Sequence, residues 1–536
     1  MDYPHSDSTL APDLRLFVSW VRALQSGSRA YDELTDILSA WMVYETHLRV
    51  CYATEPNNPS VANLYAGLLV VFLLDTAFRR IYGRPHDIRR LHLFPLPATR
   101  RLQDGTPSIV HSIDQFRNNF RLFTHGVLAH MDWTNVFAAG GSITACLRTR
   151  HVSPEDIGAG RWLPGSDVDL FVWGMTALEA QLKITHIYLA LNRALPDTLI
   201  ACVRTKYTVS FYLPYPMRTV QVVLRLYDSP GQVLAGFDID AVCAGFDGNE
   251  VLASPRAIVS WVRQANTIDV TRRSPTYETR LVKYAGREFE IFVPGLRRDD
   301  IHPDVWGARL SNLRGLALLL RLESRWANRL AAGRNVDPTD LLFPQDHDDL
   351  GPIRDYDVPY LWIPIGPGWP PQRIITLVNR VNADMNTAEK LAIHGVHRHV
   401  AFAHQSVLAV LDPEGLCVDC PAAVTPEQVR LHQTFMRGRV TFIQGNAGQQ
   451  LFHGSFNPTT VGDWTEQAYN GTTLANVPAP DVAFLEEALQ LVDEGPVALA
   501  LDLNGTVPFR AFALGLQAHF LAWLFQLLAI FTAQRA

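Results

Sequence analysis

Asn135-Val-Phe-Ala-Ala-Gly-Gly-Ser142 and, downstream, Ser166-Asp-Val-Asp-Leu-Phe171 decide how this chain is read. Val136–Ala139 is a strand-like apolar run that stops at two glycines and a serine. Glycine reaches backbone conformations closed to other residues, so Gly140-Gly141-Ser142 predicts a tight turn whose exposed N–H groups can cradle phosphate. In the second segment Asp167 and Asp169 alternate with apolar residues. A strand has a side-chain period of two, which predicts both carboxylates on one face. Two carboxylates so placed can hold Mg²⁺ together with a substrate triphosphate. Phe237-Asp-Ile-Asp240 offers a third carboxylate, and the same periodicity puts Asp238 and Asp240 on a shared face.

Around this segment the middle of the chain alternates short strand-like runs with helical patterns. The runs are Val136–Ala139, Val168–Trp173, Val209–Leu213, Val220–Leu226 and Ile239–Ala244, and the helical patterns lie at about 177–194 and 253–265. That texture predicts an α/β or α+β core over 126–300. Residues 1–125 read as helical: Leu34, Ile37, Leu38, Trp41 and Leu48 recur at helical spacing, with Asp32 and Glu33 near the helix start. A helical connection is expected over 301–336, with a long helix at about 311–332. It carries Arg314, Arg321, Arg325 and Arg329 on one face and Leu316, Leu319, Leu320 and Leu330 opposite. Proline and aspartate crowd 337–372, which predicts a linker. The remainder, 373–536, reads as a mixed, mostly helical C-terminal domain with a strand-like piece at Val440–Ile443. No internal repeat is visible, and no 33-residue ankyrin period.

The chain has 536 residues, 48% hydrophobic and 19% charged, too long for one compact core and too apolar for disorder. Its formal net charge of −6 gives no global field for nucleic acid, and no DNA partner is expected. Among 47 basic residues the only lysines are Lys183, Lys206, Lys283 and Lys390. Arginine excess fits a GC-rich coding sequence or phosphate and RNA binding, where the planar guanidinium is favoured. Local density gives the second reading some ground: Arg79, Arg80, Arg84, Arg89, Arg90, Arg100 and Arg101 meet a single acid, Asp87. Six scattered cysteines and a polar, acidic Met1–Asp13 predict a reducing, cytoplasmic setting. Ala511–Gln534 is free of formal charge over 24 residues and is expected to be a buried helix rather than a tail anchor.

Taken in order, the glycine turn, the Asp-x-Asp pair and the later carboxylate resemble the nucleotidyltransferase superfamily with the polymerase-β type fold. The resemblance implies Gly140, Gly141 and Ser142 as the phosphate turn, Asp167 and Asp169 as the Mg²⁺ pair, and Asp238, with Asp240 as rival, as the third carboxylate. Ser142 and Asp167 lie farther apart than in most members, which implies an inserted loop around 148–164. A second resemblance covers roughly 130–305 and parts of 395–470. It rests on Arg204-Thr-Lys206, Arg218–Tyr227, Gly236–Asp240, Arg273–Tyr284, Val293-Pro-Gly295, Cys417–Pro421, Gly454–Pro458 and Trp464. These stretches resemble a family of mainly fungal proteins, many labelled ankyrin-repeat, that includes arginine-containing cyclodipeptide synthases.

That family implies a stand-alone, tRNA-dependent synthase of secondary metabolism. It would join arginine from arginyl-tRNA to a second aminoacyl group as a diketopiperazine, without a metal cofactor. Ser166, Lys206, Arg280 and Lys283 would then bind substrate. Arg79, Arg80, Arg89, Arg90, Arg314, Arg321 and Arg325 would bind the tRNA. The alternatives are a Mg²⁺-dependent nucleotidyltransferase acting on RNA, a protein or a small molecule, and an inactive binding module of the same fold. Two sharper-looking signals are set aside. Gly454-Ser-Phe-Asn-Pro458 lacks a following His-x-Gly-His, and Cys417-x-x-Cys420 lacks a second cysteine pair for zinc.

Overall fold

The computed structural model describes residues 10–341, apart from 25–28, 149–151, 160, 164–165, 275 and 335–336, and parts of 363–471. In chain order its strands are β1 (Leu69–Val70), β2 (His92–Leu93), β3 (Val136–Ala139), β4 (Val168–Trp173), β5 (Ala201–Arg204) and β6 (Thr208–Tyr212). They continue with β7 (Val220–Tyr227), β8 (Ala244–Phe246), β9 (Val251–Ala253), β10 (Ala265–Thr267), β11 (Glu290–Phe292) and β12 (Phe402–His404).

Nine of them form one sheet in the order β1-β9-β8-β3-β4-β7-β6-β5-β12. Neighbours run antiparallel except β4 and β7, which are parallel. A smaller sheet has the order β10-β11-β2. The central strands are covered on both faces, which is why β4 reads as an almost unbroken apolar run. Leu170 and Val172 join the main core. Phe171 and Trp173 face a second cluster with Phe137, Ala139, Val223 and Leu234. Strand alternation puts Asp169 on that second face, at the level of Ala139 and Gln221.

The mixed α+β class stands. Strands form over Val136–Ala139 and Val168–Trp173, and the next two runs differ from expectation by a residue at their ends. The helix Ala177–Ala194 starts at a capping box of Thr176 and Glu179. The pattern at 253–265 shortens to the helix Pro255–Arg263, because Ser254 caps its start and Gln264 turns left-handed at φ 52°. The long arginine-bearing helix is Gly315–Ala331, and Leu330 is exposed rather than on its buried side.

Two expectations fail locally. Ile239–Ala244 is no strand: a 3₁₀ turn spans Asp240–Val242, and β8 begins only at Ala244. Val440–Ile443 yields only a bridge between Arg225 and Ile443. In the N-terminal region the helices are Pro12–Ala23, Ala30–Thr54 and Ile113–Phe123. Between the second and third the chain is largely irregular, with short 3₁₀ turns, and supplies β1 and β2. Ala511–Gln534, Cys417, Cys420 and Gly454–Pro458 lie outside the described residues. Among the described residues no helix is long and apolar enough to cross a membrane.

Candidate active site

The turn after β3 is held by conformation and by close approach. Gly140 has φ 93°, a left-handed value that favours glycine. A Cβ on Gly141 would sit 2.8 Å from the Tyr284 hydroxyl and 3.2 Å from Arg287 Nη1. The helix Tyr277–Gly286 therefore leans its Tyr284 side, with Arg287 just beyond its end, directly onto the turn. Next in the chain, Ser142 Oγ is buried and has no hydrogen-bond partner.

Asp169 faces this turn: a Cβ on Gly140 would lie 3.9 Å from Asp169 Oδ2. Its other oxygen, Oδ1, accepts from Gln221 Nε2 at 3.1 Å, and Gln221 Oε1 accepts from Ser210 Oγ at 3.1 Å. Burial, and then the negative charge of Asp167, hold the Asp169 carboxyl well above the usual carboxylate range. Lys283, the Gln221 amide and Arg280 pull it back down without cancelling the effect. The Lys283 ammonium shows the converse. Burial and Arg287 lower it, against the attraction of Asp167 and Asp169. The site thus sets the desolvated Asp169, with Asp167 beside it, against Arg280 and Lys283 of one helix and Arg287 just beyond its end.

The row continues in both directions. Arg287 Nη2 donates to Ser166 Oγ at 2.8 Å, which ties Ser166 to the end of the helix. Arg280 Nη2 reaches Asp238 Oδ2 at 2.8 Å and Ser274 Oγ at 2.7 Å. Ser274 Oγ also donates to Asp238 Oδ2 at 2.8 Å. The sequence-predicted residues Gly140, Gly141, Ser142, Ser166, Asp167, Asp169, Asp238, Arg280 and Lys283 therefore belong to one connected neighbourhood. Asp238 enters it through Arg280, not through direct convergence with the other two acids. Among the described residues no three His, Cys, Asp or Glu side chains lie close enough together to hold a metal.

Two other predicted site residues, Asp240 and Lys206, have different surroundings. Asp240 points away from the pocket, because the backbone from Phe237 to Asp240 is a loop entering a 3₁₀ turn rather than a strand. Its Oδ1 pairs with Arg256 Nη1 at 2.9 Å, and its Oδ2 accepts from Thr267 N at 2.9 Å. Arg256 is fully buried and also pairs with Glu45 at 2.9 Å, so Asp240 belongs to a structural ion cluster. Lys206 is exposed on the β5–β6 hairpin, with its ammonium 5.5 Å from the Tyr207 ring.

The arginine run at 79–101 breaks into separate jobs. Arg79 donates to His111 O, Arg80 to Leu24 O, and Arg84 and Arg101 pair with the buried Glu290. Arg89, Arg90 and Arg100 are exposed. On the helix Gly315–Ala331, Arg321 and Arg325 are half-buried, while Arg314 is exposed at the N-cap. Sequence reasoning missed Gln221, Ser274, Tyr284 and Arg287. The last two carried a signal, since Arg280, Lys283, Tyr284 and Arg287 recur at intervals of a helical turn.

Comparison with known proteins points elsewhere than the sequence motifs did. The matching family model is that of the Gabija anti-defense 2 family protein, over residues 114–263. That span holds the glycine turn, Asp167, Asp169, Asp238 and Asp240, and ends before the helix that supplies the cations. An uncharacterized protein of Acanthamoeba polyphaga mimivirus is 28% identical over 249 residues, covering 42% of this chain and 52% of that protein. The chain thus spans about half the length of the curated relative it matches.

These findings overturn the resemblance to the nucleotidyltransferase superfamily and to the fungal ankyrin-labelled proteins, since neither name is returned. The cyclodipeptide synthase reading falls with them, together with its fungal secondary-metabolism setting. The family model that matches residues 114–263 is not one of cyclodipeptide synthases. The motifs that carried the resemblance are short. They report how a chain turns and where it puts charge, which unrelated functions share.

Proposed function

We propose that the pocket around Asp167 and Asp169 is the active site of an enzyme that uses Mg²⁺ and a nucleoside triphosphate, transferring the nucleotidyl group in a core of polymerase-β-like design. The proposal rests on the pocket's charge pattern rather than on family resemblance. One observation carries it: two adjoining carboxylates, one desolvated and held above its usual range, face Lys283, Arg280 and Arg287 across a glycine turn. The donors suit the ion, because Mg²⁺ takes oxygen ligands and is commonly held by one or two carboxylates plus substrate phosphates. Burial and the charge of Asp167 disfavour the ionised form of Asp169, which is an environment a divalent cation relieves.

When bound, Mg²⁺ would neutralise charge on the phosphates and on the departing pyrophosphate. The chain's own residues do the rest. Gly140 and Gly141 let the turn's backbone pass close to Tyr284 and Arg287, where a Cβ on Gly141 would meet the Tyr284 hydroxyl. Lys283 and Arg287, both beside the turn, supply positive charge to phosphate oxygens, and Arg287 is braced by Ser166. Gln221, fixed by Ser210, sets the orientation of the Asp169 carboxylate. The biological setting proposed for this chemistry is the one named by the matching family, action against Gabija defence, with the acceptor group on a component of that system.

The test uses the full chain with each of the four ribonucleoside triphosphates labelled at the α-phosphate, with and without Mg²⁺, and with Gabija proteins as acceptors. Label transfer and pyrophosphate release that need Mg²⁺ and vanish in Asp167→Asn and Asp169→Asn support the proposal. Transfer that survives both substitutions, or no transfer with any of the four, removes it.

A further inference from the structure

We propose that the smaller sheet carries a separate anion site, where Arg263, Arg101 and Arg84 enclose a small doubly charged oxyanion of the phosphate or sulfate type. It shares no residue with the pocket around Asp167 and does not depend on the reading of that pocket. Strand register assembles it. Phe292 of β11 pairs with His92 of β2, and alternation puts Glu290 on the same face as Phe292. β10 joins β11 with Ala265 opposite Glu290, which delivers Arg263, two residues earlier, to this end of the sheet. Arg84 and Arg101 both reach Glu290 Oε2, the latter through Nη1 at 3.1 Å. Leu96 N donates to Glu290 Oε1 at 2.7 Å, and Arg101 Nη2 donates to Arg263 O at 2.9 Å.

Arg263 is the residue that calls for a ligand. It is fully buried, and its Nε, Nη1 and Nη2 all lack a hydrogen-bond partner. Among the described residues no other buried guanidinium leaves all three nitrogens unpaired. Its central carbon lies over the Tyr31 ring at 4.3 Å and over the Phe292 ring at 4.6 Å. Those contacts engage the charge through the ring faces and do not satisfy the N–H donors. The charge is not balanced either, because three arginines meet the single carboxylate of Glu290. His92 stays neutral: its Nδ1 donates to Ile88 O at 3.1 Å and its Nε2 accepts from the Tyr31 hydroxyl at 2.7 Å. Burial first, then Arg84, Arg263 and Arg101, pull its pKa down to about 2. Arg298, which donates to His92 O, is already paired with Glu323. Enclosing a charge without a partner is strongly unfavourable. A dianion neutralises the excess where chloride would meet only half of it, and the guanidinium fork matches paired oxyanion oxygens. The walls set the size. Tyr31, His92, Arg263 and Glu290 are fully buried, and the Arg84 and Arg101 side chains at the edge are 9% and 13% exposed. Such an enclosure suits a free oxyanion and not a nucleotide.

Equilibrium dialysis of the full chain against radiolabelled orthophosphate, after exhaustive exchange into a chloride buffer, tests this. Wild type should take up phosphate at this site, with sulfate competing and chloride at matched ionic strength failing to compete. Its melting temperature should rise with the logarithm of phosphate concentration, as for a ligand that binds only the folded state. Arg263→Met sets an uncharged chain against the same two rings. It should lose the uptake and the phosphate-dependent shift, yet melt in chloride at or above the wild-type temperature, because the unpaired charge is gone. Arg101→Gln, checked for folding by circular dichroism, should weaken phosphate about 10-fold or more, the order expected for one hydrogen bond to a charged group. Arg287→Gln, in the other pocket, should keep the Arg263-dependent uptake. Uptake lost in Arg287→Gln but intact in Arg263→Met would move the anion to the Asp167 pocket and overturn the proposal. No uptake by wild type at millimolar phosphate, or a melting shift that chloride reproduces, would leave the arginines hydrated or subject to a general salt effect only, and would overturn it as well.

Discussion

Two Asp-x-Asp segments, Asp167–Asp169 and Asp238–Asp240, look alike in sequence and come to opposite ends in the fold. The first adjoins β4, whose pairing with β3 and β7 fixes which way Asp169 points. Strand geometry then keeps the two carboxylates near enough for Asp167 to raise the proton affinity of Asp169. The second straddles a loop and a 3₁₀ turn, so its side chains diverge. Asp238 turns to Arg280 and Ser274 at the pocket, and Asp240 turns inward to Arg256 and Thr267. A motif specifies residue types at a spacing, and the backbone beneath it decides whether the spacing becomes a site.

The sharpest way to break this comparison is to neutralise one acid from each segment. Asp240→Asn leaves the fully buried Arg256 short of a charge partner and should cost about 3–5 kcal/mol of stability, as breaking a buried pair does. Denaturant unfolding reads that loss, and a cost below about 1 kcal/mol would remove Asp240 from the structural class. Asp169→Asn should do the reverse. Its stability should equal or exceed that of wild type, while metal-dependent activity falls more than about 100-fold, beyond the 10–100-fold typical of losing a ligand's supporting contact.

The same variant carries a pH signature. The Asp169 carboxyl is raised in the folded state, so between the unfolded value of about 3.9 and the folded value the native protein binds more protons than the unfolded chain. Wild-type stability therefore falls as pH rises through that window, and Asp169→Asn should lose this part of the dependence. Parallel stability–pH curves for the two proteins would contradict the assignment.

Smaller effects test the cations. Arg287→Gln removes a charge-assisted bond to Ser166 and a phosphate donor, and should raise the KM for the triphosphate roughly 10-fold, the order expected for one hydrogen bond to a charged group. The smallest change belongs to the surface. Arg89→Ala should shift stability by no more than about 0.5 kcal/mol, whereas Arg101→Ala strips a partner from the buried Glu290 and should cost clearly more in the same unfolding series.

What the sequence made legible follows from how local each signal is. Glycines at 140 and 141 and the apolar runs of β3 and β4 are local patterns, and the strands formed where the patterns lay. The arginine periodicity of 314–329 likewise marked a real helix. The fate of Asp240 was not local. It depends on Glu45, Arg256 and Thr267, which only the folded chain brings together. Gln221 was invisible for the same reason, since its role follows from the β4–β7 register. Within the basic run at 79–101 the sequence did not separate exposed arginines from Arg79, Arg80 and Arg101, which serve carbonyls and a buried carboxylate, because arginine does this as readily as it serves phosphate. Family assignment from scattered short motifs failed on similar grounds.

The central claim, that Asp167 and Asp169 hold a divalent ion beside a triphosphate, is met most directly by a crystal of the full chain grown with Mn²⁺ and α,β-methylene-ATP, measured at the manganese absorption edge. The account predicts an anomalous peak within coordination distance of both carboxylates, with analogue phosphates alongside Lys283 and Arg287. A peak elsewhere, or bound analogue with no peak at the Asp pair, would contradict it.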